Sequence, residues 1–197
     1  MKRLFFVVAI CSLAFASNAQ VKFGVKAGAN FYKFSGSDTD FEDESPDMKV
    51  GIAGGGMVNI PINEMFSVQP ELLYSMEGAK YSISGVDLKF NVNFINVPIL
   101  IQYNSSGFYA ETGPQIGFLT SAKVKVEDEE EDYKEFFKST AFSWAIGLGY
   151  RLPSGIGFGA RYNLGLSSLA DDDDDDTDIK SSGFHIGISY LFGGKKK

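Results

Sequence analysis

Three acidic runs are the densest groups of candidate ligands in this 197-residue chain. Segments 35–47, 127–135 and 171–178 together contain 20 of the 25 acidic residues. Ca²⁺ and Mg²⁺ prefer clustered oxygen ligands, but the run Asp171 to Asp176 lacks the glycine turn and terminal glutamate of an EF-hand loop. We therefore predict at most a weak divalent-cation site and no specific metal site, at Asp171, Asp172, Asp173, Asp174, Asp175 and Asp176. The alternative is a solvated surface that keeps the loops apart.

Four charged residues form a second candidate group: Lys26, Glu71, Glu111 and Arg161. Each occupies a polar position in a segment where apolar and polar residues alternate, so their side chains are expected to share one interior layer. Two cations and two anions would nearly neutralise one another, and unpaired buried charge is costly. We interpret the group as a structural plug, and the alternative is a proton or ion path.

His185 is the only histidine. A hydrolase would pair it with a nucleophile such as Ser167 or Ser182 and with an orienting carboxylate. A lone histidine with unordered serines is weak evidence, so we predict a protein that is not an enzyme. Glycine runs such as 54–56 precede no predicted helix, which argues against a phosphate loop. We expect no cofactor, and the formal charge of −7 argues against nucleic acid as a partner.

The elements that must position these residues are strands, because large apolar residues recur at every second position. Eight segments show this alternation: 21–34, 48–61, 66–77, 92–103, 107–120, 140–152, 156–168 and 182–192. No mature segment has the run of about 20 apolar residues that a transmembrane helix needs. We therefore predict an all-β protein, an eight-stranded antiparallel up-and-down barrel.

The apolar face of this barrel is expected to point outward. An eight-stranded interior is only wide enough for side chains to fill it, and it cannot hold the many rings of the apolar positions. Aromatic residues also gather at both ends of the predicted strands, with Val, Ile and Leu between them, as in the girdles of a transmembrane barrel. A soluble lipocalin-like barrel, with the apolar face inward, is the alternative.

Short and long connections alternate along the chain. The short connections are 61–65, 104–107 and 153–155, and the long ones are 35–47, 78–91, 123–139 and 169–181. This alternation predicts one end with short turns, the short-turn rim, and one with long loops, the long-loop rim. In outer-membrane barrels the short turns are periplasmic and the long loops extracellular. The long acidic loops would then face outside the cell, where divalent cations could bridge them to lipopolysaccharide.

Two further features concern strand regularity. The apolar positions change parity after Glu77 and again at Ile95, and a one-residue slip turns every side chain over. We therefore predict bulges there and a twisted ribbon that extends the third and fourth strands beyond the membrane. Pro70, Pro98 and Pro114 each remove a ladder donor, so each should mark a bulge or locally broken pairing.

Residues 1–19 have the pattern of a signal peptide. Lys2 and Arg3 form the charged region, residues 4–15 the apolar region and Ser17-Asn18-Ala19 a cleavage site before Gln20. The only cysteine, Cys11, lies inside this segment. The expected domains are therefore a signal peptide, 1–19, and an outer-membrane barrel domain, 20–197.

Residues 93–103 and 107–114, with 160–166 and the closing segment 187–192, resemble the outer-membrane β-barrel domain proteins of Bacteroidota, a group that includes PorT-like proteins. The resemblance implies location in the cell outer membrane, contact with its lipid and, for PorT-like members, secretion-machinery partners of the type IX system. We expect a non-enzymatic barrel with a filled lumen and a structural, surface-interaction or accessory role in the envelope. The alternatives are a PorT-like secretion component, a small porin or transport barrel, and a lipid-modifying enzyme.

Overall fold

The computed structural model describes residues 21–36, 46–83, 86–126, 129–170 and 179–193. It contains a closed antiparallel barrel, in which β1 pairs with β2 and with β9 while β4 pairs with β5 to complete the ring. The strands are β1 (Lys22–Ser35), β2 (Asp47–Pro61), β3 (Phe66–Ile83), β4 (Val86–Ser105), β5 (Phe108–Val126), β6 (Glu129–Asp132), β7 (Thr140–Arg151), β8 (Ile156–Gly165) and β9 (Lys180–Leu191). All but β6 form the barrel wall, which confirms the predicted eight-stranded fold.

β3, β4 and β5 are longer than the alternation predicted. β3 and β4 keep one register as far as Ile83 and Val86, so the predicted extension of these two strands is present. β5 accompanies them to Val126, and the short strand β6 adds to its other edge. Segment 78–91 is therefore mostly strand, and segment 123–139 contains the end of β5 and the whole of β6. We name the sheet formed by residues 78–83, 86–93, 120–126 and 129–132 the extension sheet.

The predicted slips between β3 and β4 are absent. Their register is unbroken from Phe66–Tyr103 to Ile83–Val86. Inward side chains stay on the same parity, since Glu77, Ala79 and Tyr81 are all buried. The apolar parity changes because the inward face turns from polar in the barrel to apolar in the extension sheet. Register shifts do occur nearby, in the β2–β3 ladder and in the β4–β5 ladder at Asn93–Phe94.

Each of the three prolines coincides with locally broken pairing, as predicted. Near Pro70 the β2–β3 ladder has no pair between Met57–Glu71 and Ile60–Val68. Near Pro98 the β3–β4 ladder is interrupted, and near Pro114 the β4–β5 ladder is interrupted. The register is the same on both sides of each gap, so these prolines remove ladder bonds without adding a residue.

The exposed side chains agree with an outward apolar face. Phe108, Ile101 and Ile186 are each more than half exposed, whereas Gln102, Glu111 and His185 are buried. Polar side chains inside and apolar ones outside are the arrangement of a transmembrane barrel rather than of a lipocalin. Aromatic pairs at the short-turn rim, Phe66–Tyr103 and Phe108–Tyr150, have ring centroids 5.4 and 4.8 Å apart.

Helical structure in the described ranges is confined to one 3-10 turn, Lys134–Phe136, which follows β6. None of the helices among the described residues is long and apolar enough to cross a membrane.

Candidate functional site

The structure brings the four predicted lumen charges into one cluster. They come from β1, β3, β5 and β8, and Arg161 lies at the centre. Its guanidinium donates to both oxygens of Glu71, from Nη1 to Oε2 and from Nη2 to Oε1, at 2.9 Å each. Its Nε donates to Glu111 Oε1 at 2.8 Å. Lys26 Nζ donates to Glu71 Oε1 at 3.2 Å, so every charge in the cluster has an opposite partner.

Neutral amides complete the hydrogen bonding of the carboxylates. Gln69 Nε2 donates to Glu71 Oε1, and Gln102 Nε2 donates to Glu111 Oε2, both at 2.8 Å. Asn59 Nδ2 in turn donates to the oxygens of both glutamines. These amides lie at polar positions of alternating strands, but alternation alone cannot say which interior residues will meet. All carboxylate oxygens of the cluster are satisfied, which is the condition under which buried charge is tolerated.

Glycines provide the space for this interior. A Cβ at Gly147 would lie 2.9 Å from Glu111 Oε1, and a Cβ at Gly149 would lie 2.4 Å from the Tyr109 hydroxyl. A Cβ at Gly159 would also lie 2.4 Å from that hydroxyl. The glycines of β7 and β8 therefore let large interior side chains approach the wall, and they form no phosphate loop.

A second polar layer, which sequence reasoning missed, surrounds Glu77 nearer the long-loop rim. Its Oε1 accepts hydrogen bonds from Ser75 Oγ at 2.9 Å and Asn96 Nδ2 at 2.8 Å. Its Oε2 accepts from Ser181 Oγ at 2.8 Å. Asn30 joins this layer, because its Nδ2 donates to Ser75 Oγ at 2.8 Å. The signal available in the sequence was a polar residue at each inward position, which identifies a face without identifying a contact.

His185 belongs to this interior and has no nucleophile beside it among the described residues. Its Nδ1 donates to Asn30 Oδ1 at 2.9 Å, and its Nε2 is buried without a hydrogen-bond partner in the described part of the chain. Ser182 Oγ contacts Ser35 Oγ and accepts from the Gly165 amide, while Ser167 Oγ accepts from the Phe142 amide. The structure therefore does not assemble the catalytic group considered for a hydrolase.

An apolar cap covers the lumen toward the long-loop rim. Phe94, Val92 and Tyr81 project from the inward face of the extension sheet and its junction with the barrel, and Phe34 and Leu169 pack against them. The rings of Phe34 and Phe90 are 5.6 Å apart in an edge-to-face arrangement. We define the apolar cap by its buried members, Phe34, Ala79, Tyr81, Val92, Phe94, Leu119, Ala122 and Leu169.

The remaining predicted sites lie outside the described residues. These are the aspartate run Asp171 to Asp176, most of segment 35–47 and the whole of segment 1–19. Within the described ranges, no group of three or more His, Cys, Asp or Glu side chains could hold a metal ion.

The interior thus consists of the charged cluster, the polar layer around Glu77 and the apolar cap, in order from the short-turn rim. Most polar atoms of the charged cluster and of the polar layer around Glu77 form hydrogen bonds, and the apolar cap consists of apolar side chains. Such an interior fills a small barrel with side chains and can stabilise it.

Comparison with known proteins agrees with this architecture. Crystal structures of Neisserial surface protein A (NspA) and of Ail, the attachment invasion locus protein of Yersinia pestis, are similar to this chain, each at 16% identity. The NspA comparison has a TM-score of 0.53 and covers 85% of this chain and 96% of that one. The Ail comparison has a TM-score of 0.50 and covers 87% and 98%. At this identity they show the fold alone.

No curated protein matches the sequence. A family model described as an outer membrane protein beta-barrel domain matches residues 15–171, most of the chain. Together with the closed barrel and its apolar exterior, this match places the protein in the outer membrane. The chain belongs to the outer membrane protein β-barrel domain family.

Proposed function

We propose that this protein is a non-enzymatic envelope barrel that acts through its extracellular surface, with the lumen serving only as a structural core. The extension sheet carries the proposal. It continues β3, β4 and β5, adds β6, and its inward side chains form the apolar cap together with Phe34, Phe94, Leu119 and Leu169. Loops that serve only as linkers between strands do not need a core of their own.

The closed interior supports the same proposal against the porin alternative. A water-filled channel needs a wider barrel of about 16 strands. In this barrel Arg161, Glu71 and Glu111 are buried and bonded to one another. Beyond them the apolar cap covers the lumen. Solute transport would have to break both layers.

In-cell photo-crosslinking tests the proposal directly. A photoreactive amino acid at Lys89, which is exposed on the outward face of the extension sheet, is expected to give a discrete crosslinked macromolecule. The matched control places the same amino acid at Ile99, which is 51% exposed on the same strand within the lipid-facing band. That position should capture lipid only.

Each outcome of this experiment is informative. Identical products at the two positions, or none at Lys89, would contradict a surface-interaction role. A secretion-machinery protein captured at Lys89 would favour the PorT-like accessory role that the sequence resemblance implies. Planar-bilayer recordings of the purified protein should show no discrete conductance steps, and steady steps would favour the porin alternative.

A further inference from the structure

We propose that a pocket at the short-turn rim binds a phosphate-type oxyanion. The pocket has a volume of about 410 Å³ and is formed by the turns that connect β4 to β5 and β7 to β8, together with the ends of β1 and β9. Its lining includes two cationic side chains, Lys22 and Arg151, and none of its lining residues, all of them in the described ranges, is acidic.

Arg151 is the main recognition group. Its Nε is buried and has no hydrogen-bond partner within the described part of the chain. The guanidinium carbon lies 5.0 Å from the centroid of the Tyr109 ring, which holds the planar group at the lumen mouth. A guanidinium whose Nε–H has no acceptor in the described part of the protein is suited to bidentate bonding with phosphate or carboxylate oxygens.

The pocket is also distinct from the charged cluster. Glu111, the inward carboxylate on neighbouring β5, is already bonded to Arg161 and Gln102. Among the residues that the structure describes, neither Lys22 nor Arg151 forms an ion pair with a carboxylate. Two cations without a protein counter-charge favour a doubly charged anion over a singly charged one.

The backbone around the pocket is held in place. The Arg151 amide donates to the Gly107 carbonyl at 2.7 Å, and the Gly155 amide donates to the Leu152 carbonyl at 2.9 Å. Gly107 and Gly155 have φ values of +91° and +95°, a left-handed conformation that glycine adopts without strain. Phe108 and Tyr150, which are 66% and 37% exposed, also line the pocket.

Phosphate could reach this pocket from two sources, a phospholipid headgroup of the inner leaflet or a soluble phosphate compound. The test uses the full-length mature protein in a maltoside detergent, which carries no phosphate. The probe is inorganic phosphate, added at constant ionic strength while the Arg side-chain Nε–H resonances are recorded by NMR. We expect one arginine resonance to shift with saturation, and a smaller response to acetate.

Variants test whether Arg151 is the residue that binds phosphate. Arg151→Gln should weaken phosphate binding by roughly tenfold or more, because it removes a charge-assisted bidentate contact. The phosphate affinity of Arg151→Lys should lie between those of Arg151→Gln and the unmodified protein, since lysine keeps the charge and loses the planar fork. Lys138→Gln is the matched control, because Lys138 is exposed at the opposite end of the barrel, beside Leu169 at the long-loop rim. It should bind as the unmodified protein does.

A nanodisc arm distinguishes the sources. If lipid phosphate occupies the pocket, the Arg151 resonance in phospholipid nanodiscs will already be shifted, and added phosphate will change it little. If the natural ligand is soluble, the nanodisc sample will titrate as the detergent sample does. The proposal is overturned if chloride reproduces the shift at equal ionic strength, or if Arg151→Gln titrates like the unmodified protein.

Discussion

Arg161 is the residue on which the charge balance of the lumen depends, because its guanidinium contacts both Glu71 and Glu111. Sequence alternation predicted that these side chains point inward, and it grouped them correctly with Lys26. It could not predict the amides of Gln69 and Gln102 that complete the bonding. Pair contacts across a barrel depend on strand tilt and register, which the residue types along one strand do not encode.

Replacing Arg161 with Met should destabilise the barrel by about 3–5 kcal/mol, because Glu71 and Glu111 would then be left with too little compensating charge. Urea unfolding in lipid vesicles, followed by the fluorescence of the single tryptophan, measures the change. Adding Glu111→Gln to the variant should restore part of the stability, since it removes one of the two buried carboxylates that lack sufficient compensating charge. Conductance should not change, and an increase would instead support an ion path.

At the scale of elements, the sequence predicted some strands well, made β8 three residues too long and truncated others. The predicted bounds of β1, β2 and β7 differ from the observed ones by a single residue at most. β3, β4 and β5 continue beyond the lipid into water. There, apolar side chains are buried on the inward face of the sheet instead of facing outward. Alternation cannot distinguish this change of surroundings from a slip in register.

β6 was missed for another reason. Its four residues, Glu129–Asp132, are all acidic, and acidic residues have low strand propensity. They form a strand because β5 offers an unpaired edge, which is a tertiary cause. Charge on an edge strand also discourages pairing with a second molecule.

The apolar cap predicts that the extension sheet has its own stability. Phe94→Ala removes a ring that is only 2% exposed, at a local cost of about 3–5 kcal/mol. Hydrogen exchange should then show a loss of protection of roughly 100-fold or more for amides of residues 79–83 and 86–92, with β8 unchanged. Ile99→Ala on the same strand is the control and should leave the extension sheet protected. Equal loss in β8 would show that the sheet and the barrel unfold as one unit.

At the scale of the whole molecule, the barrel has an apolar outer surface and a lumen filled by side chains. Trp144 lies on the outside, 40% exposed, and its Nε1 donates to Thr112 Oγ1 at 2.9 Å. Indole rings favour the headgroup zone at the edge of the apolar band. Its position across the membrane can therefore be measured without introducing a probe.

Brominated lipids should quench Trp144 fluorescence, and bromine near the headgroups should quench more strongly than bromine deep in the acyl chains. As a control, the tryptophan is moved to the buried inward position 94 by Trp144→Phe with Phe94→Trp, which should be quenched weakly at both depths. Strong quenching at position 94, or none at position 144, would contradict an outward apolar face.

The unbroken β3–β4 register also marks the level at which the sheet passes from lipid into water. On β3 the exposed apolar side chains end at Tyr74, and Ala79 and Tyr81 are the apolar side chains buried beyond that point. From Phe66 to Tyr74 the strand rises about 26 Å, or about 20 Å along the membrane normal at a tilt of about 40°. Two residues inserted between Tyr74 and Ala79 would leave every outer side chain of β3 on its own face, whereas one residue would turn the outer part of β3 over.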